Sequence, residues 1–254
     1  MPTRRVGNTW ERWGEEDPLF AVLSDKDKRH GGWEADDFMA TGRASIAALL
    51  ADLEGLGIVV PEGSVLDFGC GVGRLTMALS DHFDDVHGVD ISAAMVDRAR
   101  AVAEGAANPP TYHHNRQPDL ALFDDDTFAL VVTFLVLQHM PASDSLAYVR
   151  EFVRVLAPGG VAVFQLPEAH CRPTRLLDSR WLPPRVRNAG VRMKGRVLRR
   201  PYMEMHMVKR AVVAAAAERA GGELVEAAPD ASGGDFCRSV RYIARKPGTV
   251  SGAR

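Results

Sequence analysis

Short apolar runs alternate with amphipathic segments along the chain from residue 64 onward. The runs have the length of buried strands, and the segments between them repeat apolar residues with helical spacing. The predicted strands are 64–68, 86–91, 127–137 and 160–166, and the predicted helices are 73–82, 92–105 and 142–156. Pro158, Gly159 and Gly160 predict a turn between the last of these helices and the strand that follows. This alternation predicts a parallel sheet with helices on both faces.

Further elements are predicted on both sides of this alternating region. Two helices, at 9–23 and 34–57, precede the first strand and are expected to fold over a site. The stretch "MVKRAVVAAAAERAGG" predicts a later helix, followed by strands near 223–228 and 236–245. We therefore expect a single domain over 1–254. Its predicted parts are a helical lid at 1–60, a cofactor-binding core at 61–166, a basic cap at 167–206, and a final helix and strands at 207–247.

Composition is consistent with a folded protein that works in the cytoplasm. The chain has 254 residues, of which 46% are hydrophobic, enough to bury a large core. The three cysteines Cys70, Cys171 and Cys237 form no Cys-x-x-Cys pair, so we expect neither a zinc site nor a redox motif. The longest apolar run, "FALVVTFLVL", is about half as long as a membrane-spanning helix. We expect no membrane span and no nucleic-acid partner, and the sequence leaves the oligomeric state open.

Positive charge is concentrated in one segment, although the whole chain has a net charge of -2. Between Cys171 and Arg200 the sequence holds ten Lys or Arg residues and a single acid, Asp178. Three interpretations stay open: a cap that binds an anionic acceptor, a patch that associates with a membrane surface, or a solvated face without a ligand. The membrane interpretation draws on the apolar residues Leu176, Leu177, Trp181 and Leu182.

The stretch "VLDFGCGVGRLT", from Val65 to Thr76, carries the strongest chemical signal. Gly69, Gly71 and Gly73 follow a predicted strand and precede a predicted helix, where glycines let a ligand approach the main chain. A dinucleotide would require a small residue at the position of Arg74. The spacing therefore disfavours a nicotinamide or flavin dinucleotide.

Taken with Asp90 in "VHGVDIS" and the "PGG" turn, this stretch resembles the class I S-adenosylmethionine-dependent methyltransferases of the bacterial small-molecule type. The resemblance covers about residues 38 to 166 and extends more loosely to the end. It implies a Rossmann-like, doubly wound α/β sheet of about seven strands, mostly parallel with an antiparallel last strand, and a cap inserted after the fifth strand. It also implies S-adenosyl-L-methionine as cofactor and methyl transfer to a small-molecule acceptor, with oxygen as the methylated atom. The alternatives are a dinucleotide-dependent oxidoreductase and a non-catalytic module that keeps the cofactor pocket.

The resemblance assigns cofactor-binding roles to residues of this sequence. Asp67 and the three glycines would serve the methionine end, with Asp67 as an acceptor or as an organiser of the loop. Asp90 would accept hydrogen bonds from both ribose hydroxyls. Ile91 would pack on the adenine or belong to the core. Asn115 would bind the adenine amino group, with Asp119 as the alternative.

Methyl transfer is an in-line displacement, so the protein must position the acceptor and accept a proton when the acceptor is a hydroxyl. His139 follows the fourth strand and is the candidate base, with a capping or orienting role as the alternative. A histidine base predicts a rate that rises with pH through the neutral region. Gln138 is a second candidate, which would bind the acceptor or the cofactor. Gln165, Glu204 and His206 are secondary candidates, and no metal site is expected.

Overall fold

Seven strands form one sheet within the described part of this computed structural model, which comprises residues 2–171, 182–198, 201–231 and 237–248. The strands are β1 (Ser64–Phe68), β2 (Val86–Asp90), β3 (Thr111–His114), β4 (Phe128–Thr133), β5 (Leu156–His170), β6 (Glu223–Asp230) and β7 (Cys237–Arg245). Their order is β3-β2-β1-β4-β5-β7-β6. The first five strands are parallel, and β7 is antiparallel to both of its neighbours. The predicted Rossmann-like sheet with an antiparallel last strand is confirmed.

Helices cover both faces and the carboxyl-terminal edge of the sheet. They are α1 (Pro2–Glu16), α2 (Pro18–Val22), α3 (Ala35–Gly55), α4 (Arg74–Leu79), α5 (Ala93–Ala103), α6 (Ala142–Val155), α7 (Pro184–Val197) and α8 (Arg210–Arg219). Short 3-10 turns occur at Lys26–Lys28 and Leu137–His139. No helix in the described ranges is both long enough and apolar enough to cross a membrane.

Alternating side chains of the central strands supply two separate cores. Leu66 and Phe68 of β1 pack with α6 and α8 on one face of the sheet. Val65 packs with α3 and α4 on the other face. This alternation follows from the pleat, which directs successive side chains to opposite faces. Because both faces are covered, the strands read as continuous apolar runs in the sequence.

The "PGG" stretch lies inside β5, whereas the sequence predicted a turn before that strand. α6 ends at Val155, and β5 begins at Leu156. Gly159 has a φ of +82°, and the pairing register with β4 shifts at this point. A Cβ on Gly160 would lie 2.8 Å from the carbonyl oxygens of Ala157 and Phe128. The glycines therefore allow a bulged start of the strand, packed against β4.

Helix α1 is fixed to the amino-terminal end of α5. The two carboxylate oxygens of Glu11 accept hydrogen bonds from the backbone N–H groups of Ala93 (2.8 Å) and Ala94 (3.1 Å). Arg98 of α5 donates to the carbonyl oxygen of Gly14 at 2.9 Å. Because α5 follows β2 directly, these contacts hold α1 beside the carboxyl-terminal edge of the sheet, where ligands bind in open α/β folds.

Candidate functional site

A cleft with about 760 Å³ of empty space opens at the carboxyl ends of β1, β2 and β4. The strand order reverses between β1 and β4, so the cleft lies at the topological switch point of the sheet. Val6 and Trp10 of α1 and Val22 of α2 form the wall opposite the strands. Among the described residues that line it, Asp90 and Asn115 are the two with carboxylate or amide side chains, and most others are apolar or aromatic.

The glycine loop has a left-handed backbone at all three glycines. The φ angles of Gly69, Gly71 and Gly73 are +76°, +54° and +87°, a region that side chains with a Cβ rarely adopt. Gly69 and Gly71 line the cleft, while Gly73 precedes α4 and packs against the Tyr112 hydroxyl. The third glycine therefore serves the turn into α4 and does not line the cleft.

Protein side chains occupy the space that a Cβ would need on the two cleft-lining glycines. A Cβ on Gly69 would overlap Val136, and one on Gly71 would lie 2.8 Å from Cγ2 of Val22. From the sequence, these glycines are expected to let a ligand approach the main chain. In the structure they are explained as well by their left-handed φ angles and by close packing against Val136, which follows β4, and Val22 of α2.

Asp90 joins the glycine loop to the start of α5. Its Oδ2 accepts from the backbone N–H of Gly71 at 2.9 Å, and its Oδ1 accepts from the backbone N–H of Ser92 at 2.9 Å. Burial raises the pKa of Asp90, and the backbone N–H groups oppose that shift by stabilising the carboxylate. The carboxylate lines the cleft at the end of β2, and its role as a ribose ligand stays a prediction.

Asp67 lies behind the loop and not on the cleft wall. The side chain is 2% exposed and accepts a hydrogen bond from Oγ1 of Thr76 at 2.6 Å. Burial raises the pKa of Asp67 to about 6, against the opposing effect of the Thr76 hydrogen bond. This position agrees with the second of the two predicted roles, an organiser of the loop.

Ile91 and Asn115 both line the cleft. The Asn115 amide is engaged within its own loop: Nδ2 donates to the carbonyl oxygen of Asp119 at 2.7 Å, and Oδ1 accepts from the backbone N–H of Gln117 at 2.9 Å. Asn115 therefore shapes this edge of the cleft, and Asp119 itself is not among the described lining residues.

Arg74 is buried beneath the loop, at the position that argued against a dinucleotide. Its Nη1 donates to the hydroxyls of Thr41 and Ser45 on α3, both at 3.3 Å. Gly42 of α3 lies directly against the Arg74 carbonyl oxygen, where no Cβ would fit. The glycine that permits close helix packing here belongs to α3.

His139 and Gln138 lie behind the cleft wall. They belong to the turn after β4, and the ring of His139 meets the edge of Trp10 at a centroid distance of 5.1 Å. His139 lines an adjoining recess together with Arg5, Thr9, Tyr202 and Glu204. Val6 and Trp10 line both the recess and the cleft, so these two side chains separate the spaces.

Both ring nitrogens of His139 have partners. Nδ1 lies 2.7 Å from the carbonyl oxygen of Glu204, and Nε2 lies 3.3 Å from Nε2 of Gln138. The carbonyl can only accept, so Nδ1 carries the proton and Nε2 has the free electron pair. Burial lowers the pKa of His139 to about 4, so the ring is neutral at neutral pH.

Glu204 and His206 lie beside the recess. The buried Glu204 carboxylate pairs with Arg5 of α1 and with Arg192 of α7 (3.1 Å), and it contacts Nε2 of His206 at 3.2 Å. This carboxylate therefore links α1 to α7. Burial lowers the pKa of His206.

The sequence missed the apolar part of the wall. Val6 and Trp10 lie four positions apart in the sequence, a spacing that places two side chains on one face of a helix. This spacing could have predicted that they lie side by side on α1. Leu135 has no such signal, because its contribution depends on a left-handed φ of +65° that the apolar run does not reveal.

Comparison with known proteins finds a family model that matches part of the chain. Residues 65–160 match the family model described as a methyltransferase domain. The 2-methyl-6-phytyl-1,4-hydroquinone methyltransferase of Synechocystis sp. is 30% identical over 167 residues, which are 62% of this chain and 49% of that protein. A ubiquinone biosynthesis O-methyltransferase of Xanthomonas campestris pv. campestris is 29% identical over 141 residues, 56% of each chain. The chain thus spans about half the length of these curated relatives.

Residues 65–160 thus match a methyltransferase domain, within the residues over which the sequence resembles the class I S-adenosylmethionine-dependent methyltransferases. Solved structures agree on the fold of this methyltransferase domain. The magnesium protoporphyrin IX methyltransferase of Synechocystis PCC 6803 with bound SAM has a TM-score of 0.63 at 19% identity, with 97% of each chain covered. An S-adenosylmethionine-dependent methyltransferase from Mesorhizobium loti has a TM-score of 0.55 at 21% identity, covering 77% of this chain and 96% of that one. The resemblance inferred from the sequence is confirmed.

Proposed function

We propose that this chain transfers a methyl group from S-adenosyl-L-methionine to an oxygen atom of a small-molecule acceptor. The observation that carries the proposal is the cleft at the switch point, where the glycine loop and Asp90 of a methyltransferase domain meet. The names of relatives support the acceptor class, since they include a ubiquinone biosynthesis O-methyltransferase and a hydroquinone methyltransferase.

The lining of the cleft fits this cofactor. A carboxylate has about four acceptor positions, and backbone N–H groups use two of those on Asp90, which leaves room for the ribose hydroxyls. Ile91 offers an apolar surface for the adenine, beside the Asn115 loop. Gly69 and Gly71 lie where the methionine end would be held. No described lining residue is cationic, so we expect main-chain N–H groups to receive the methionine carboxylate.

When bound, the cofactor supplies an electrophilic methyl group on a sulfonium. The protein has to exclude water and orient the acceptor oxygen in line with that methyl group. The apolar wall formed by Phe134, Leu135 and Val136 suits this task. His139 stays the candidate base: it is neutral at neutral pH, and its Nε2 would accept a proton only after Gln138 turns away.

A groove of positive charge supports an anionic acceptor. The basic groove is lined by Arg5, Arg12, Arg192, Arg196 and Tyr202, between α1 and α7. Arg5 and Tyr202 also line the recess, which adjoins the cleft through Trp10. An acceptor could therefore hold its anionic end in the basic groove while its reacting oxygen enters the cleft. Arg172, Arg175, Arg180, Arg199 and Arg200 lie outside the described residues.

The other expectations from the sequence stay predictions. They include the division into lid, core and cap, the location in the cytoplasm and the absence of a nucleic-acid partner. Of the four apolar residues behind the membrane-surface interpretation, Leu182 is described and is half exposed, and the others lie outside the described residues.

Calorimetry with S-adenosylhomocysteine and NADH tests the proposal. We expect S-adenosylhomocysteine to bind at least about a hundredfold more tightly, a difference of about 2.7 kcal/mol. Equal affinities would contradict a methyl-donor site. Incubation with a labelled methyl donor and a metabolite extract, read by mass spectrometry, then identifies the acceptor and the methylated atom. Cofactor binding without transfer to any metabolite would favour the non-catalytic module.

A further inference from the structure

A series of four hydrogen bonds, in which every donor points the same way along the series, connects Leu135 to Glu204 behind the cleft wall. The backbone N–H of Leu135 donates to Oε1 of Gln165 at 3.1 Å, and Nε2 of Gln165 donates to Oε1 of Gln138 at 3.3 Å. Gln138 then donates from Nε2 to Nε2 of His139 at 3.3 Å, and His139 donates from Nδ1 to the carbonyl oxygen of Glu204 at 2.7 Å. Every donor meets an acceptor, so the orientation of both amides and the tautomer of the imidazole are mutually consistent.

Leu135, the first residue in this series of hydrogen bonds, has an unusual backbone conformation. Its φ is +65°, and the other described non-glycine residues with positive φ are His30 and Asp126, types that tolerate this region better than a leucine. The conformation turns the chain out of β4 so that Phe134, Leu135 and Val136 all face the cleft. Val136 then packs directly on Gly69 of the glycine loop.

Gln165 is well suited to hold this conformation. It is fully buried in β5 between Phe164 and Leu166, and both atoms of its amide are bonded. Its Nε2 also donates to Oγ of Ser239 on β7. An amide in an apolar strand is costly unless its polar atoms have partners, and this one contacts the backbone of the strained residue directly. Gln165 itself does not line the cleft.

We propose that Gln165 is a positioning residue, which acts on the cleft by holding Leu135 in its left-handed conformation through the backbone N–H. Residues 134–136 then keep the place from which they confine the cofactor and acceptor, and to that extent the proposal rests on the proposed function. Gln165 also contacts Gln138, and the proposal concerns its bond to Leu135.

Backbone amide hydrogen exchange at Leu135, measured by NMR on the whole chain, tests the bond itself. Gln165→Met keeps the length of the side chain and removes both polar atoms, so exchange at Leu135 should accelerate at least about tenfold. Gln165→Glu keeps an oxygen that accepts from Leu135 but loses the donor to Gln138, and it should restore part of the protection. Ser239→Ala is the matched control, because it removes one of the two other partners of Gln165 and leaves the Leu135 bond in place. Unchanged exchange in a folded Gln165→Met protein would refute the proposal.

A double-mutant cycle then separates positioning from general stability. Glycine adopts a φ of +65° without strain, so Leu135→Gly removes the need for a clamp. In the native background Gln165→Met should weaken S-adenosylhomocysteine binding at least about tenfold, and in the Leu135→Gly background by less than about twofold. Equal losses in both backgrounds would mean that Gln165 does not act through Leu135 and would refute the proposal. If no variant, nor the native chain, binds S-adenosylhomocysteine, the proposed function fails, and hydrogen exchange still decides the role of Gln165.

Discussion

At the scale of single residues, the Asp90 carboxylate has a structural role and is also the proposed ligand of the ribose. It holds the Gly71 and Ser92 backbone N–H groups at 2.9 Å each and lines the cleft with its remaining electron pairs. Removal of the carboxylate would therefore release the glycine loop and also delete the proposed acceptor for the ribose hydroxyls. The two losses act in the same direction on cofactor affinity.

We expect Asp90→Ala to weaken S-adenosylhomocysteine binding at least tenfold, because hydrogen bonds to a charged group contribute about 1.5–3 kcal/mol each. Calorimetry gives the affinity, and Asp119→Ala is the control, since Asp119 is absent from the described lining of the cleft. Affinity within about twofold of the native chain would remove Asp90 from the ribose site, because that change is only about 0.4 kcal/mol.

His139 makes folding stability depend on pH. Its pKa is about 4 in the folded chain and 6.5 as an isolated side chain, because burial disfavours the imidazolium. The unfolded chain therefore binds more protons between these values, and the stability gained by keeping the ring neutral is lost as the pH falls from above 6.5 towards 4. At pH 5 the loss amounts to at most roughly 2 kcal/mol.

Urea unfolding at pH 8 and pH 5 measures this effect. We expect His139→Asn, whose amide can still donate to the Glu204 carbonyl, to have a smaller loss of stability between the two pH values than the native chain. His113, whose pKa is also lowered by burial, contributes to both proteins equally. Identical losses would show that His139 titrates near its ordinary value.

The same pKa changes the rate profile expected from the sequence. A histidine with an ordinary pKa predicts a methyl-transfer rate that rises through neutral pH. A pKa of about 4 moves that rise to acidic pH and leaves a flat profile around neutrality. Nothing in the sequence around His139 indicates this shift of its pKa, because the shift comes from burial, to which the distant Trp10 contributes, while the Glu204 carbonyl opposes it.

At the scale of elements, Glu11 joins the wall of the cleft to the core. A carboxylate at the first backbone N–H groups of a helix satisfies donors that would otherwise have no partner and interacts favourably with the helix dipole. Through this contact α1, which carries Val6 and Trp10 over the cleft, is held on α5. This capping contact of Glu11 is therefore expected to affect both the free energy of unfolding and ligand binding.

Glu11→Ala should lower the free energy of unfolding by about 0.5–2 kcal/mol, the usual effect of losing a cap. It should also weaken S-adenosylhomocysteine binding several-fold, because α1 is released from the cleft. Glu16→Ala on the same helix is the control, since Glu16 is exposed and pairs with Arg12. Urea unfolding and calorimetry measure the two effects, and loss of stability with unchanged affinity would mean that α1 does not contribute to the ligand site.

The elements themselves were predictable to different degrees. The runs at 64–68 and 86–91 predict β1 and β2 within one residue, because Gly69 follows β1 and Asp90 ends β2. The run at 127–137 is too long, since β4 ends at Thr133, before the left-handed Leu135. α7 was missed because its buried positions include Arg187 and Asn188, which give no apolar stripe.

At the scale of the whole molecule, part of the positive charge that the sequence concentrates in one segment lines the basic groove. Four arginines from α1 and α7 line the basic groove, and the Glu204 carboxylate neutralises part of their charge. The sequence indicated a basic segment but not its partner surface, because Arg5 and Arg12 come from a helix far away in the chain. The groove, the recess and the cleft adjoin one another in that order.

A matched pair of dyes tests whether this path prefers an anion attached to an aromatic body. The dye 8-anilinonaphthalene-1-sulfonate carries one sulfonate, and N-phenyl-1-naphthylamine is the same molecule without it. Fluorescence titration in the presence of S-adenosylhomocysteine should give tighter binding of the sulfonate. Arg196→Gln should weaken binding of the sulfonate dye at least about threefold, a change of about 0.7 kcal/mol, and leave binding of the neutral dye unchanged.

Lys194→Gln is the control, because Lys194 belongs to α7 and is absent from the described lining of the groove. Because exposed charges are screened by salt, the preference should also shrink as ionic strength rises. Equal binding of the two dyes, or equal effects of the two substitutions, would contradict an anionic acceptor and leave the apolar cleft alone to select the substrate.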